Sequence, residues 1–276
     1  MKAGIFSKTF ERPTLTGVLD AVVDYGLEAV QFNMVCAGQA EMPDEIDPAL
    51  SDTIRDEHLK RNLEMSAVSG TFNIIDPNLE ERAAGFRRLD VLAGQCERLG
   101  TSVITFCTGT RNPTSMWRAH PDNNTPEAWR DMLDSVAQSV EIAEKHNVSL
   151  AFEPEVSNVV DSAQKARNLL DEIKSPHLKV TIDGANLFHK GELPKMMEIL
   201  DHAFDILGDD IVLAHAKDLS KDGEAGHEAA GTGLLDYDHY IFLLRKIGFE
   251  GGIVLHSLSE AQAPQCVKFL KDKLAK

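Results

Sequence analysis

A (β/α)8 barrel is the fold this sequence predicts, and three observations predict it. Eight short apolar runs alternate with amphipathic segments along the whole chain. The 276 residues suit one such barrel, so residues 1–276 are read as a single catalytic domain. No GxGxxG follows the first run, which removes support for the dinucleotide-binding open sheet. The count of eight then favours a closed barrel over a long doubly wound sheet.

In order, the runs are AGIF (3–6), EAVQF (28–32), MSAVSG (65–70) and SVITF (102–106), then SLAFE (149–153), KVTID (179–183), IVLAH (211–215) and GIVLH (252–256). Their near-continuous apolar character is what strands buried on both faces require. Helical periodicity marks 15–25, 79–99, 127–146, 161–173 and 236–247 between them. The third of these opens on the start signal Thr125-Pro126-Glu127. Gly26, Gly100, Asn147 and Gly248 stand where left-handed caps would stop helices just before strands. The charged stretches 52–60 and 80–88 read as solvated helix faces.

Composition is that of a globular protein, with 43% hydrophobic and 26% charged residues. A formal net charge of -16 repels phosphate backbones and anionic lipid, so neither nucleic acid nor a membrane is expected as a partner. Cys36, Cys96, Cys107 and Cys266 form no CxxC pair and read as reduced thiols. The start, MKAGIFSKTF, reads as a first strand rather than a leader, and no apolar run reaches the length of a membrane span. A cytoplasmic location is the expectation.

Active sites of such barrels assemble at the carboxyl ends of the strands. The last four predicted strands end in Glu153, Asp183, His215 and His256. One polar residue at a strand end is usually a cap, and Asp183, followed by Gly184, fits that role alone. Four at equivalent points of one rim make a divalent-metal site, open to Mn, Mg, Co or Zn. Glu155 follows two residues after Glu153, and is either a pocket carboxylate or a solvated loop acid. Lys217 falls on the same side of its strand as His215, either to contact substrate or to pair with an acid. The long segment 107–129 carries Trp117, Arg118 and His120, candidates for a lid over a polar substrate, with Arg111 a weaker one. Asn186 is either a substrate or ligand-supporting hydrogen bonder or a helix cap. Gly231-Thr232-Gly233 lies where many barrels hold phosphate, although two glycines also simply shape a loop. His227 is expected at the surface, and Cys107 as a small buried thiol.

The segments LAFEPE (150–155), TIDGANL (181–187), LAHAKD (213–218) and AGTGLLDYDHY (230–240), with GLEAVQF at 26–32, resemble the xylose-isomerase-like barrels known as sugar phosphate isomerases and epimerases. The resemblance implies a divalent-metal enzyme acting on a ketose or related polyol, with Glu153, Asp183 and His215 as ligands. It also suggests a homodimer, since related barrels often pair. Two positions depart from the ketose 3-epimerase pattern. His256 stands where those enzymes have a second catalytic glutamate, and Asn186 where they have a histidine.

The expected chemistry is proton transfer through a stabilised enediolate, with Glu153 as first candidate for the base, then Glu155 and Lys217. A metal-bound His256 nitrogen cannot also be the base. A keto-polyol dehydratase is the second expectation, because the same enediolate expels a β leaving group. Phosphodiester cleavage is disfavoured, since strands one to four end in Phe6, Phe32, Gly70 and Phe106 and the charge is acidic. A non-catalytic sugar-binding barrel is the third alternative.

Overall fold

All eight predicted runs become strands, and their pairing closes on itself. The computed structural model describes residues 1–276. Its parallel strands are β1 (Lys2–Phe6), β2 (Ala29–Phe32), β3 (Glu64–Ser69), β4 (Val103–Phe106), β5 (Ser149–Phe152), β6 (Leu178–Asp183), β7 (Ile211–Asp218) and, after a two-residue β8 (Glu228–Ala229), β9 (Gly252–Leu255). β1 to β7 pair in chain order, and β9 lies between β7 and β1, so the barrel has no free edge. β8 runs antiparallel to the end of β7, with Lys217 opposite Ala229.

Around the barrel lie α1 (Leu15–Asp24), α2 (Pro48–Lys60), α3 (Leu79–Ala93), the single turn α4 (Cys96–Leu99), α5 (Pro126–His146), α6 (Ala163–Ile173), α7 (Met196–Leu207), α8 (Tyr237–Lys246) and α9 (Ala263–Leu274). The predicted helix over 79–99 is in fact two, broken at Gly94 and Gln95; glycine is a poor helix former there. Side-chain caps explain several starts: Thr14, Asp47, Asn78, Thr125, Ser162 and Asp236 each accept a backbone N–H from the first turn. Asn147, with φ of 52°, ends α5 in the left-handed region, as its position before β5 predicts. No helix is long and apolar enough to cross a membrane.

A cluster of 69 buried residues fills the space between strands and helices. Inside the barrel only Ala67, Leu213 and Val254 form a small apolar plug, flanked by Phe6 and Val103. Because each buried large apolar side chain contributes about 1.5–3 kcal/mol, the outer cluster dominates stability. That leaves the upper barrel interior free to be polar. Gln31, Ser69, Thr105, Thr181 and His215, from five different strands, line a cavity there.

Four strand ends differ from the predicted ones. β3 stops at Ser69, one residue before Gly70. β5 stops at Phe152 and β9 at Leu255, so Glu153 and His256 sit one step beyond pairing, while β7 continues past His215 to Asp218. The pleat nevertheless keeps its period of two, and Glu153, His215, Lys217 and His256 all face the cavity.

Candidate active site

The cavity at the carboxyl end of the barrel holds about 370 Å³, within the usual span of small-molecule sites. Glu153 and His215 line its floor, Asp183 is fully buried beside them, and the three each offer a donor atom within 4.8 Å of the others. Their spacing is set from outside. Tyr240, fully buried on α8, directs its hydroxyl at both Ile182 O (3.1 Å) and His215 O (3.0 Å), bridging β6 and β7 beneath the two side chains.

Glu153 is held at one oxygen. Its Oε1 accepts from Asn186 Nδ2 at 2.6 Å, lies 3.2 Å from Lys217 Nζ, and is 3.2 Å from His215 Nδ1. None of these contacts uses Oε2. Asp183 Oδ1 accepts from Ala185 N at 2.9 Å. Its Oδ2 is buried with no hydrogen-bond partner, 3.3 Å from Lys217 Nζ. A buried carboxylate oxygen without a hydrogen bond is costly, and here the one ammonium that offsets it is shared with Glu153. Two carboxylates and an imidazole with such free lone pairs suit a divalent cation.

The electrostatics follow from two acids sharing one ammonium. Burial pushes both carboxyls up. For Glu153 the Lys217 and His215 charges overturn burial and hold it well below the usual carboxylate range. For Asp183 burial prevails, and Lys217 only partly opposes it. Lys217 is buried too, but Glu153, Asp183 and Glu155 keep it protonated. Glu155 is the unexpected member. It is a buried pocket residue rather than a solvated loop acid, and burial, then the neighbouring Glu153 and Asp183, push it up to about 7 against the pull of Lys217.

Other sequence candidates divide. His256 lines the cavity but falls outside the group of three. Its ring stacks between Phe6 and His215, with centroids 4.8 and 5.1 Å away, and its Nδ1 meets Ser257 Oγ at 3.1 Å. Burial, then the Lys217 and His215 charges, keep it neutral. Asn186, expected as a substrate or ligand-supporting hydrogen bonder or a helix cap, bonds Glu153. It is fully buried and passes between Glu153 and Gly226, whose N–H donates to Asn186 Oδ1 at 2.7 Å. Of the lid candidates only Trp117 reaches the cavity, 62% exposed at its mouth. Arg118 points to solvent, and His120 Nδ1 caps Asp122 N at 3.2 Å. The reason is local: Asn112 and buried Asn123 stitch the loop together and fix which side chains face inward. Arg111 pairs with Asp131 away from the cavity.

Gly231 donates its N–H to Asp218 Oδ2, and a Cβ on Gly233 would strike Leu219 O at 2.4 Å. These glycines wrap the buried Asp218. His227 is exposed, and Cys107 is a buried thiol pushed up to about 12 by desolvation.

Sequence reasoning passed over Gln31. It is buried in β2, and its Oε1 accepts from His215 Nε2 at 2.7 Å. The one polar residue inside β2, AVQF at 29–32, was the available signal.

The family described as the xylose isomerase-like TIM barrel matches residues 19–273. The chain belongs to that family. Among solved structures, a D-tagatose 3-epimerase-like protein is similar over 100% of this chain and 97% of its own, at 17% identity and a TM-score of 0.77. The apo 3-keto-D-glucoside 4-epimerase YcjR from E. coli is similar over 100% and 98%, at 16% identity and a TM-score of 0.74. The IOLI protein with a binding zinc atom is similar over 100% and 97%, at 15% identity and a TM-score of 0.73. At such identities these likenesses describe the barrel, and the site is argued from its own residues.

Proposed function

We propose that this family member is a divalent-metal-dependent isomerase or epimerase of a small, uncharged keto-polyol of the sugar class. The observation that carries the proposal is the convergence of Glu153, Asp183 and His215, with Asp183 Oδ2 fully buried, free of hydrogen bonds and answered by the single ammonium of Lys217 that Glu153 also shares. Those three residues would hold the ion, and a divalent ion supplies Lewis acidity toward a carbonyl. Epimerases among the similar structures, and one neighbour bearing zinc, support the same reading.

Proton transfer falls to Glu155 rather than Glu153. A carboxyl at about 7 is near half-protonated at neutral pH and both accepts and returns a proton. Glu153, with Oε1 held by Asn186 and Lys217, is too weak a base. Lys217 stays an ammonium that balances the two floor carboxylates, and His256 Nε2 remains for a substrate hydroxyl. Trp117 offers a ring face at the mouth. No lining cation is left for a phosphate: Lys8 is paired with Glu41, and Lys217 with Glu153 and Asp183.

The test combines metal analysis of the purified protein with incubation of ketoses and inososes in D2O. An isomer carrying solvent deuterium, lost on chelation, is the expected result. A protein that takes up no divalent ion, or turnover indifferent to chelation, refutes the proposal. A dehydrated product instead selects the lyase reading, to which a probable 3-DHS dehydratase at 16% identity and a TM-score of 0.75 lends a structural parallel.

A further inference from the structure

A second recess opens beside the cavity, and short-range features of the chain build it. On α3, Gly85 leaves space where a Cβ would lie 2.1 Å from Phe72 Cδ2, so the Phe72 ring seats against the helix and lines the recess. Buried Asn73 ties the β3–α3 loop to the β4–α5 loop. Its Nδ2 donates to Thr110 O at 2.9 Å and its Oδ1 accepts from Thr110 N at 3.0 Å, backbone partners that admit one orientation of the amide. Asn112 Oδ1 accepts from Thr114 N at 3.0 Å and Ser115 N at 3.2 Å, which turns the loop tip. On the other side, Arg88 of α3 holds Asp44 of the β2–α2 loop at 2.7 Å. Between these braced walls lies a cleft of about 520 Å³.

The cleft is continuous with the cavity, since Glu41, Met42 and Thr71 line both. Met116 faces the cleft and Trp117, the next residue, faces the cavity, so one stretch of loop forms the sill between them. We propose that the cleft is a second sugar-binding subsite, and that the substrate is a neutral two-ring glycoside whose keto sugar occupies the cavity and whose further glycosyl ring lies in the cleft. Size requires two rooms: at about 370 Å³ the cavity stands near the small end of ligand sites and suits one ring. Charge sets the class. Glu41, Asp44, Asp76 and Glu81 line the cleft against one cation, Arg88, which Asp44 already takes. A phosphate or carboxylate is repelled there, whereas carboxylates accept strong hydrogen bonds from sugar hydroxyls. Phe72 and the flexible thioethers of Met42 and Met116 offer apolar surface to the C–H face of a ring. The keto sugar in the cavity rests on the function proposed above; the preference of the cleft for a neutral ring does not.

Calorimetric titration of the protein with D-fructose and with its glucosyl derivatives turanose, maltulose and isomaltulose tests this. The four share a ketose and differ only in the added ring and its linkage. At least one disaccharide is expected to bind about 10–100-fold tighter than fructose, within what ligand efficiency allows for one more ring. Ala40→Trp sets an indole in the cleft from an exposed position that lines the cleft and not the cavity. It is expected to abolish the gain and leave the affinity for fructose unchanged. Disaccharides that all bind no tighter than fructose overturn the proposal, whether or not the variant folds, and so does a gain that survives Ala40→Trp. A gain abolished by Ala40→Trp, in a protein that takes up no divalent ion, leaves the subsite standing while the isomerase reading fails.

Discussion

Replacing Asn186 by alanine tests whether the floor of the site is held by the bonds described. The side chain is fully buried and makes two contacts: Nδ2 to the ionised Glu153 Oε1 at 2.6 Å and Oδ1 from Gly226 N at 2.7 Å. A hydrogen bond to a charged group contributes about 1.5–3 kcal/mol, and a buried N–H left unpaired costs about 1–3 kcal/mol. Together these bracket about 2.5–6 kcal/mol, and partial relaxation toward the space vacated brings the expected loss to about 3 kcal/mol. For a chain of this size that is a fall in melting temperature of about 6–12 °C. Thermal unfolding followed by circular dichroism in chelator measures it without contribution from bound metal. Asn186→Asp should be at least as destabilising, because it sets a second carboxylate against Glu153. A melting temperature for Asn186→Ala within about 1 °C of wild type, equivalent to under about 0.5 kcal/mol, refutes the network as drawn.

Removing the ammonium with Lys217→Met should tighten divalent binding, since a cation 3.2–3.3 Å from both floor carboxylates competes for them, while turnover falls at least tenfold; calorimetric titration and steady-state rates check the two halves. Gly226→Ala brings a Cβ to 2.8 Å from Ala185 Cβ and 3.0 Å from Lys217 Cβ, so it should destabilise by about 1–3 kcal/mol and weaken metal binding; equilibrium denaturation and titration report it. Buried His58 has Nδ1 on Ile54 O at 2.8 Å and no partner for Nε2, and burial lowers its pKa. Folding therefore favours the neutral ring, and stability is lost as pH falls through the unfolded value of about 6.5. The drop in melting temperature between about pH 7.5 and 5.5 should be smaller in His58→Met than in wild type, and equal drops count against this account.

The barrel was legible because the pleat and the helix have fixed periods. Eight apolar runs gave eight barrel strands, and Glu153, Asp183 and His215 fell together because equivalent rim positions converge in any closed barrel. His256 shared that rim position yet turned its ring face to His215, a packing outcome that spacing does not encode. Glu155 was harder to read. It is buried because residues 155–160 fold back, with Glu155 N donating to Val160 O and Val156 N to Asn186 O, and such a return is non-local. Gln31 was hidden because the second strand, which does end at Phe32, was judged by that last residue, whereas the pleat turns Gln31 and not Phe32 into the cavity. Arg118 and His120 had suitable chemistry, but two asparagines elsewhere in the loop decided its facing.

The phenol of Tyr240 ties Ile182 and His215 from behind. This divides the enzyme into a part that keeps time and a part that can be retuned. The strands that carry Asp183 and His215 are braced by a residue of α8 that does not line the cavity, so their spacing should persist when the cavity mouth changes. Trp117 and the Lys8–Glu41 pair line the same cavity on segments that Tyr240 does not bond. On the proposed function, libraries confined to those segments should shift substrate preference while metal affinity stays constant.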